Sequence, residues 1–348
     1  MTVNVGLIGY GLGGRVFHAP LIAAVEDLRL KAIASSRRDA VLSRYPHVSV
    51  TDADCIINDP AIDLVVISTP NETHFPLAQA ALAAGKHVVI DKPITTTLGE
   101  AAALAGLAES RRRHIFPFHN RRWDGDFLTV RHLIDSGTLG AVHLFEGCWD
   151  RFRPVPQARW REGDGAGAGL LADLGPHLID QALALFGTPR SIAADVSVWR
   201  QGAIADDHFD LTLFYPSCRV RLSASLLVAA PRPRFAVHGS KGSFVKRGLD
   251  PQEAWLASGG QPGTSKESEA DFGSLTGEEG VSIVPTLTGD YREFYAGVAD
   301  TLTTDSAPPV PLAAALTTLN LIELARQSSA CGQRLTVAAD HTESKATR

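Results

Sequence analysis

Val3-Asn4-Val5-Gly6-Leu7-Ile8-Gly9-Tyr10-Gly11-Leu12-Gly13-Gly14 decides how the rest of the chain is read. A short apolar run passes directly into G-x-G-x-x-G, and a helix-like segment, Arg15–Val25, follows despite Pro20. Isolated glycines often do no more than make turns. A strand before and a helix after supply the context that a dinucleotide-binding turn requires. Gly9 allows the tight turn, Gly11 lets the backbone approach a pyrophosphate, and Gly14 lets helix and strand pack closely. The start of the helix then faces the anion. Gly9, Gly11, Leu12 and Gly14 are the expected cofactor contacts.

Working outward, strand and helix patterns alternate. Leu28–Ala34, Asp63–Ser68, His87–Ile90 and His114–Phe118 read as strands. His74–Ala84, stopped by Gly85, and Leu98–Arg113 read as helices. Alternating β and α with near-continuous apolar strands predicts a parallel sheet covered on both faces. Beyond Arg122 the grammar changes. Helices are expected at Phe127–Ser136 and Leu174–Phe186. Strands are expected at Val142–Asp150, Ile192–Trp199, His208–Tyr215, Arg219–Val228 and Arg234–His238, with period-two alternation in places. Residues 258–280, rich in Gly, Ser and Glu, read as a solvated loop. Asp290–Thr304 and Leu312–Ser328 return to helix. The predicted architecture is α/β: a Rossmann domain at 1–121, then an α+β domain at 122–338 with an open, mostly antiparallel sheet. The final helices of the second domain are expected to pack back on the first, and 339–348 to form a flexible tail.

The 348 residues suit about two domains, and 45% of them are hydrophobic. Lys and Arg number 33 against 38 Asp and Glu, a net charge of −5, which argues against general affinity for nucleic acid or anionic membranes. No apolar run approaches the ~20 residues that span a bilayer, and no signal peptide is read at the start. Cys55, Cys148, Cys218 and Cys331 lie far apart, with no C-x-x-C pair and no metal spacing. Scattered reduced thiols in a cytoplasmic protein are the expectation.

Three further stretches lie at carboxyl ends of strands, where open α/β sheets bind ligands. After Leu28–Ala34 comes Ser35-Ser36-Arg37-Arg38, with no carboxylate before Asp39. An NAD-type site puts an acidic residue there for the ribose 2′-hydroxyl. Two hydroxyls and two guanidiniums suit a 2′-phosphate instead, so NADP is expected, with NAD as the lesser alternative. The competing reading is a solvated basic turn. Thr69-Pro70-Asn71-Glu72-Thr73-His74 follows another strand, and Asn71 or His74 there suits the cofactor's ribose or nicotinamide. Alternatively, Asn71 or Thr73 only caps the next helix. Asp91-Lys92-Pro93 ends His87–Ile90, where the ammonium of Lys92 is suited to stabilise oxyanion charge.

Asp173-Leu174-Gly175-Pro176-His177 opens a helix of the second domain. Spacing of i, i+4 brings Asp173 and His177 together if the segment is helical. A carboxylate can fix a histidine tautomer and raise its basicity for acid–base work. The plainer reading has Asp173 as an N-cap and His177 as a packed core residue. No third ligand lies nearby in sequence, so no metal site is expected.

These residues together resemble the glucose–fructose oxidoreductase/inositol dehydrogenase family (Gfo/Idh/MocA). The fingerprint, Thr69-Pro70-Asn71…His74, Lys92-Pro93 and Asp173-x-x-x-His177 fall in the family's order, and the likeness covers nearly the whole chain. Phe118-His119-Asn120-Arg121-Arg122-Trp123-Asp124-Gly125-Asp126-Phe127, Asp150-Arg151-Phe152-Arg153 and Gly175-Pro176-His177-Leu178-Ile179-Asp180 are similar to the NADP-dependent scyllo-inositol dehydrogenase branch. The resemblance implies a homodimer or homotetramer formed through the C-terminal sheet. It also implies that Lys92 is the catalytic lysine and that Asp173 and His177 are the acid–base pair. Asp91 stands where the family usually has Glu, and the Lys92-Pro93 bond is often cis in relatives.

The expected reaction is hydride transfer between nicotinamide and a secondary alcohol of a polyol or sugar. His177 takes the hydroxyl proton, Lys92 stabilises the alkoxide-like oxygen, and Asp173 orients His177. Thr69, Pro70, Asn71, His74, Lys92 and Asn120 are expected near the cofactor. Asn120 and Arg121 are expected to line an interdomain cleft, and Arg151, Arg153 and Trp160 to touch substrate. The rivals are a glycosidase with retained nicotinamide, a non-catalytic NADP-binding sensor, and an aldehyde, imine or bilin reductase. Sugar release from a glycoside, binding without turnover, or bilin reduction would distinguish them in turn.

Overall fold

The structure is a computed structural model that describes residues 2–165 and 167–338. The tail expected from Ala339 onward falls outside the described residues. The chain divides into two compact units. One takes the chain up to Leu128 with Leu249–Ser268 and Thr286–Leu316; the other takes Thr129–Gly248, Glu269–Pro285 and the stretch from Thr317.

Among the described residues the first unit holds six strands: β1 (Val3–Ile8), β2 (Leu28–Ala34), β3 (Ser49–Thr51), β4 (Leu64–Ile67), β5 (His87–Ile90) and β6 (Ile115–Pro117). They pair in parallel in the order β3-β2-β1-β4-β5-β6. All four residues of β4 and the last three of β5 are buried, as expected of strands covered on both faces. Helices at His74–Ala83 and Leu98–Arg111 follow β4 and β5. The second of these starts with a capping box, in which Thr97 and Glu100 satisfy each other's backbone N–H groups. The order reverses between β1 and β4, so the crevice for a ligand opens at their carboxyl ends. The helix Arg38–Arg44, strand β3 and the helix Ala53–Asn58 carry too little apolar periodicity to be read in sequence; Val41 is the one buried residue of the first.

The second unit is built on β7 (Val142–Asp150), β8 (Ser191–Ser197), β9 (His208–Phe214), β10 (Arg219–Ser225), β11 (Phe235–Gly239), β12 (Gly242–Lys246), β13 (Gly273–Gly277), β14 (Gly280–Val284) and β15 (Leu335–Thr336). Their order is β14-β13-β12-β11-β7-β10-β9-β8-β15. Every pairing is antiparallel except β7 with β10. The α/β class expected from sequence is therefore present, with a parallel sheet in one unit and a mostly antiparallel one in the other. The helix Leu170–Phe186 packs on β7, β9 and β10. Phe145 on β7 meets Phe186 and Phe235 at ring distances of 5.5 and 5.7 Å.

The loop expected at 258–280 is corrected. β13 and the start of β14 form a hairpin there, turning through Glu278-Glu279 with Gly280 at φ 110°. Backbone pairing onto β12 creates these strands, and β14 itself is largely exposed. Side-chain patterning therefore gives little sign of them.

Candidate active site

In the first unit the glycine turn sits at the carboxyl end of β1. Gly9 adopts φ 101°, and a Cβ there would stand 2.1 Å from the carbonyl oxygen of Ser68. A Cβ on Gly14 would stand 2.1 Å from the carbonyl oxygen of Gly9. Both positions admit only glycine, and the turn lies flat against the strand ends. Gly11 differs, because nothing lies within 4 Å of its Cβ direction and the backbone there faces open space. Leu12 beside it is 57% exposed. A turn closed on its inner side and open at Gly11 fits a bound pyrophosphate.

At the end of β2, Ser36, Arg37 and Arg38 are exposed and Ser35 is half-buried. The Ser35 hydroxyl accepts from the Arg37 amide at 3.0 Å, and Arg38 Nη1 donates to the Val50 carbonyl at 3.1 Å. Between the end of β2 and Asp39 there is no carboxylate, and Asp39 lies in the first turn of the helix Arg38–Arg44.

The turns after β4 and β5 are tied together by His74, which is buried. Its Nδ1 lies 2.8 Å from the Pro93 carbonyl and its Nε2 3.0 Å from the Thr69 carbonyl. The ring thus braces the Thr69-Pro70 turn against the Lys92-Pro93 turn. Thr73 holds the N-cap position of the helix His74–Ala83 but makes no capping bond through its side chain, so the capping alternative fails for Thr73. Asn71 is buried, and the Thr73 hydroxyl donates to the Pro70 carbonyl at 2.7 Å and lies 2.6 Å from the Thr69 hydroxyl. The Lys92–Pro93 peptide is cis. Asp91 accepts the Lys92 amide at 2.8 Å and the Ser68 hydroxyl at 3.2 Å. Burial alone would raise its pKa. The bond and charge of His18, with the charges of Lys92 and His74, outweigh burial and hold Asp91 well below the usual carboxylate range.

Asn120 and Arg121 follow β6, and both are buried, at 3% and 5% exposure. Arg121 Nη1 donates to the Tyr291 hydroxyl at 2.6 Å, and Nη2 pairs with Glu253. Tyr291 in turn donates to Asp124 at 2.6 Å. Burial pushes the Asp124 carboxyl well above its usual range. Both Nη atoms of Arg121, expected on substrate, therefore serve a buried network of their own unit.

In the second unit the helix bearing Asp173 and His177 begins at Leu170, four residues earlier than expected. Its N-cap is Gly169, at φ 99°, and a Cβ there would lie 2.0 Å from Asp206 Oδ1. The Asp206 carboxylate accepts the Leu171 amide at 2.7 Å, and its carbonyl accepts the Leu170 amide at 2.8 Å. Asp206 therefore caps the helix from a distant loop, and the reading of Asp173 as N-cap is excluded. Asp173 instead lies in the first turn, its carboxylate 3.4 Å from Arg161 Nε and 3.9 Å from Arg151 Nη1. All three line one cavity with Gly169 and Asp206. His177, one turn on and 7% exposed, packs beside the Trp149 ring at 5.8 Å.

The loop carrying the other expected substrate residues is held by Arg200. That guanidinium donates to Asp207 at 2.9 Å, to Glu162 at 3.0 Å and to the Arg153 carbonyl at 3.2 Å. Trp160 is 41% exposed and lies 4.6 Å beneath the Arg161 guanidinium. Sequence reasoning missed Arg161 and Asp206. Arg161 adjoins Trp160 and shares its loop, a usable signal. Nothing in the sequence near Asp206 points 35 residues back to the helix it caps.

A glycine turn at the switch point of a 3-2-1-4-5-6 sheet marks a dinucleotide-binding protein. The oxidoreductase family's NAD-binding Rossmann fold matches residues 3–119, and its C-terminal alpha/beta domain matches residues 131–337. The chain belongs to this Gfo/Idh/MocA oxidoreductase family, with a nicotinamide cofactor and a small-molecule substrate. It is 48% identical to the uncharacterized oxidoreductase YdgJ of Escherichia coli, over 94% of this chain and 96% of that one. It is 38% identical to the scyllo-inositol 2-dehydrogenase (NADP(+)) IolW of Bacillus subtilis, over 94% of each. Among solved structures, that of yvaA from Bacillus subtilis superposes with a TM-score of 0.94 at 36% identity, covering 97% of this chain and 99% of that one. Among the described residues no helix is long and apolar enough to cross a membrane.

Proposed function

We propose that the chain is an NADP-dependent dehydrogenase acting on a secondary alcohol of an inositol-like polyol or sugar. The observation that carries this reading is the helix Leu170–Phe186. It sets a carboxylate among guanidiniums at Asp173 and an enclosed imidazole one turn later at His177. The activity for which IolW is named supports the substrate class and the coenzyme.

The residues present fit a dinucleotide phosphate. The backbone of Gly9, Gly11, Leu12 and Gly14 would hold the pyrophosphate. Ser35, Ser36, Arg37 and Arg38 would hold the 2′-phosphate. Thr69, Pro70, Asn71 and Asn120 would border the nicotinamide riboside, with His74 bracing the turn. When bound, the nicotinamide supplies the hydride acceptor or donor. His177 takes the substrate hydroxyl proton at Nε2, since its Nδ1 is enclosed. Asp173 orients the imidazole and stabilises its charge once protonated. Lys92 donates to the oxygen as charge develops on it. Arg151, Arg153 and Trp160, with Arg161, provide contacts for the remaining hydroxyls.

Self-association through the nine-stranded sheet belongs to the same proposal, and light scattering tests it. So does a cytoplasmic location, which rests on the four cysteines being free thiols. The function is tested with inositols, sugars and sugar acids against NADP and NAD, followed by absorbance of the reduced nicotinamide. NADP-linked oxidation of an inositol-like polyol supports the reading. Release of sugar from a glycoside, without net nicotinamide turnover, replaces it with the glycosidase reading.

A further inference from the structure

We propose that His18, in the helical turn just after the glycine fingerprint, is a positioning residue that holds Asp91 beneath Lys92 and so places the turn carrying that lysine. The inference rests on the reading of Lys92 as the residue that stabilises the substrate oxygen.

His18 is fully buried, and its ring is held from three sides. Its Nδ1 lies 2.6 Å from the Tyr295 hydroxyl, and its face packs on Phe118 at 4.2 Å. Its Nε2 reaches Asp91 Oδ2 at 3.5 Å. Tyr295 comes from the helix Arg292–Thr304, so a segment late in the chain fixes a ring next to the cofactor turn. Burial pushes the Tyr295 hydroxyl well above its usual pKa, so it remains a proton donor.

Proton accounting fixes the direction of the chain. An ionised Asp91 has only acceptors to offer, and three donors meet it: the Lys92 amide, the Ser68 hydroxyl and His18 Nε2. Nε2 must therefore carry a proton. Asp91 also sits against the cofactor turn, because a Cβ on Gly13 would stand 2.9 Å from its Oδ2 and 2.5 Å from Ser68 Oγ. One carboxylate thus touches the glycine turn, the end of β4 and the backbone of Lys92. The titratable groups that act on it are His18, Lys92 and His74. With His18 removed, burial weighs more heavily. Asp91 then takes up a proton at higher pH and loosens its hold on the Lys92 amide.

The test combines one readout without turnover and one with it. Nitrogen-15 NMR of the histidine-labelled full chain reports whether His18 Nε2 bears a proton, with the signal assigned from its loss in His18→Gln. Steady-state kinetics then compare wild type, His18→Leu and His18→Gln. The expected results are a protonated Nε2 and a fall in kcat/KM of about tenfold or more in His18→Leu, the scale of one lost charge-assisted hydrogen bond. The acid limb of the pH profile should also move to higher pH. His18→Gln, which keeps a donor toward Asp91, should recover most of the loss.

An unprotonated Nε2 overturns the proposal, as does an unchanged pH profile in His18→Leu or equal loss in the leucine and glutamine variants. If His18→Leu fails to fold, Tyr295→Phe removes a single hydroxyl and should move the acid limb in the same direction; no movement overturns the proposal. If the wild type turns over no polyol, the proposed function fails, while the nitrogen signal still decides the contact between His18 and Asp91.

Discussion

Asp206 occupies the space that a side chain at Gly169 would need, and the same carboxylate caps the helix that carries Asp173 and His177. The start of that helix, Leu170, is thus set by a residue 36 positions later. Asp206→Ala should destabilise the protein by about 1–2 kcal/mol, the typical cost of a lost cap. Asp206→Asn keeps an accepting oxygen and should cost less than half as much. Denaturant unfolding of the two variants checks this, and equal losses would contradict the capping role.

Coenzyme preference should reside in the turn after β2. Arg37→Ala with Arg38→Ala removes both guanidiniums that face solvent there. The KM for NADP should rise roughly 10- to 100-fold, the scale of lost charge-assisted bonds, while that for NAD stays within a factor of about two. A parallel rise for both coenzymes would place the 2′-phosphate elsewhere.

His177→Ala should lower kcat by roughly 10²- to 10⁴-fold, the usual worth of a positioned acid–base group. Binding of NADPH, followed by its fluorescence, should survive unchanged. A variant that keeps wild-type turnover would remove His177 from the chemistry.

Arg121 gives a contrasting prediction. Its guanidinium is buried against Tyr291 and Asp124 and also pairs with the partly exposed Glu253, so Arg121→Ala takes the cation out of a buried polar network. The expected loss is stability, on the order of 3–5 kcal/mol, and not a selective rise in substrate KM. Thermal unfolding beside steady-state kinetics separates the two.

His87 sets a pH dependence of stability. Burial, with the neighbouring charges of Arg113 and His114, lowers its pKa to about 4. The unfolded chain takes up this proton near pH ~6.5, before the folded chain does. Its contribution is therefore complete above that pH and is lost as pH falls toward 4. His87→Phe should flatten the fall in stability across this window, measured by urea unfolding at several pH values.

Much of the first unit was legible because its signals are local. β1, β2 and β5 match the expected bounds at both ends, since each is an apolar run closed by turn residues. The glycine turn was readable for the same reason. What escaped depends on distant partners. β13 and β14 exist because β12 offers them an edge. The start of the helix at Leu170 depends on Asp206. The basic side chain of Arg121 looked available in sequence, yet Tyr291 and Glu253, more than 130 positions away, engage it. His18 gave no local sign of its role, because Asp91 and Tyr295 reach it only through the fold.

The most direct measurement is the formation of reduced nicotinamide by the purified protein, given NADP and inositols, followed by absorbance. The account predicts polyol-dependent reduction of NADP that exceeds reduction of NAD. No reduction with any polyol or sugar, while the protein still binds NADP, would contradict it.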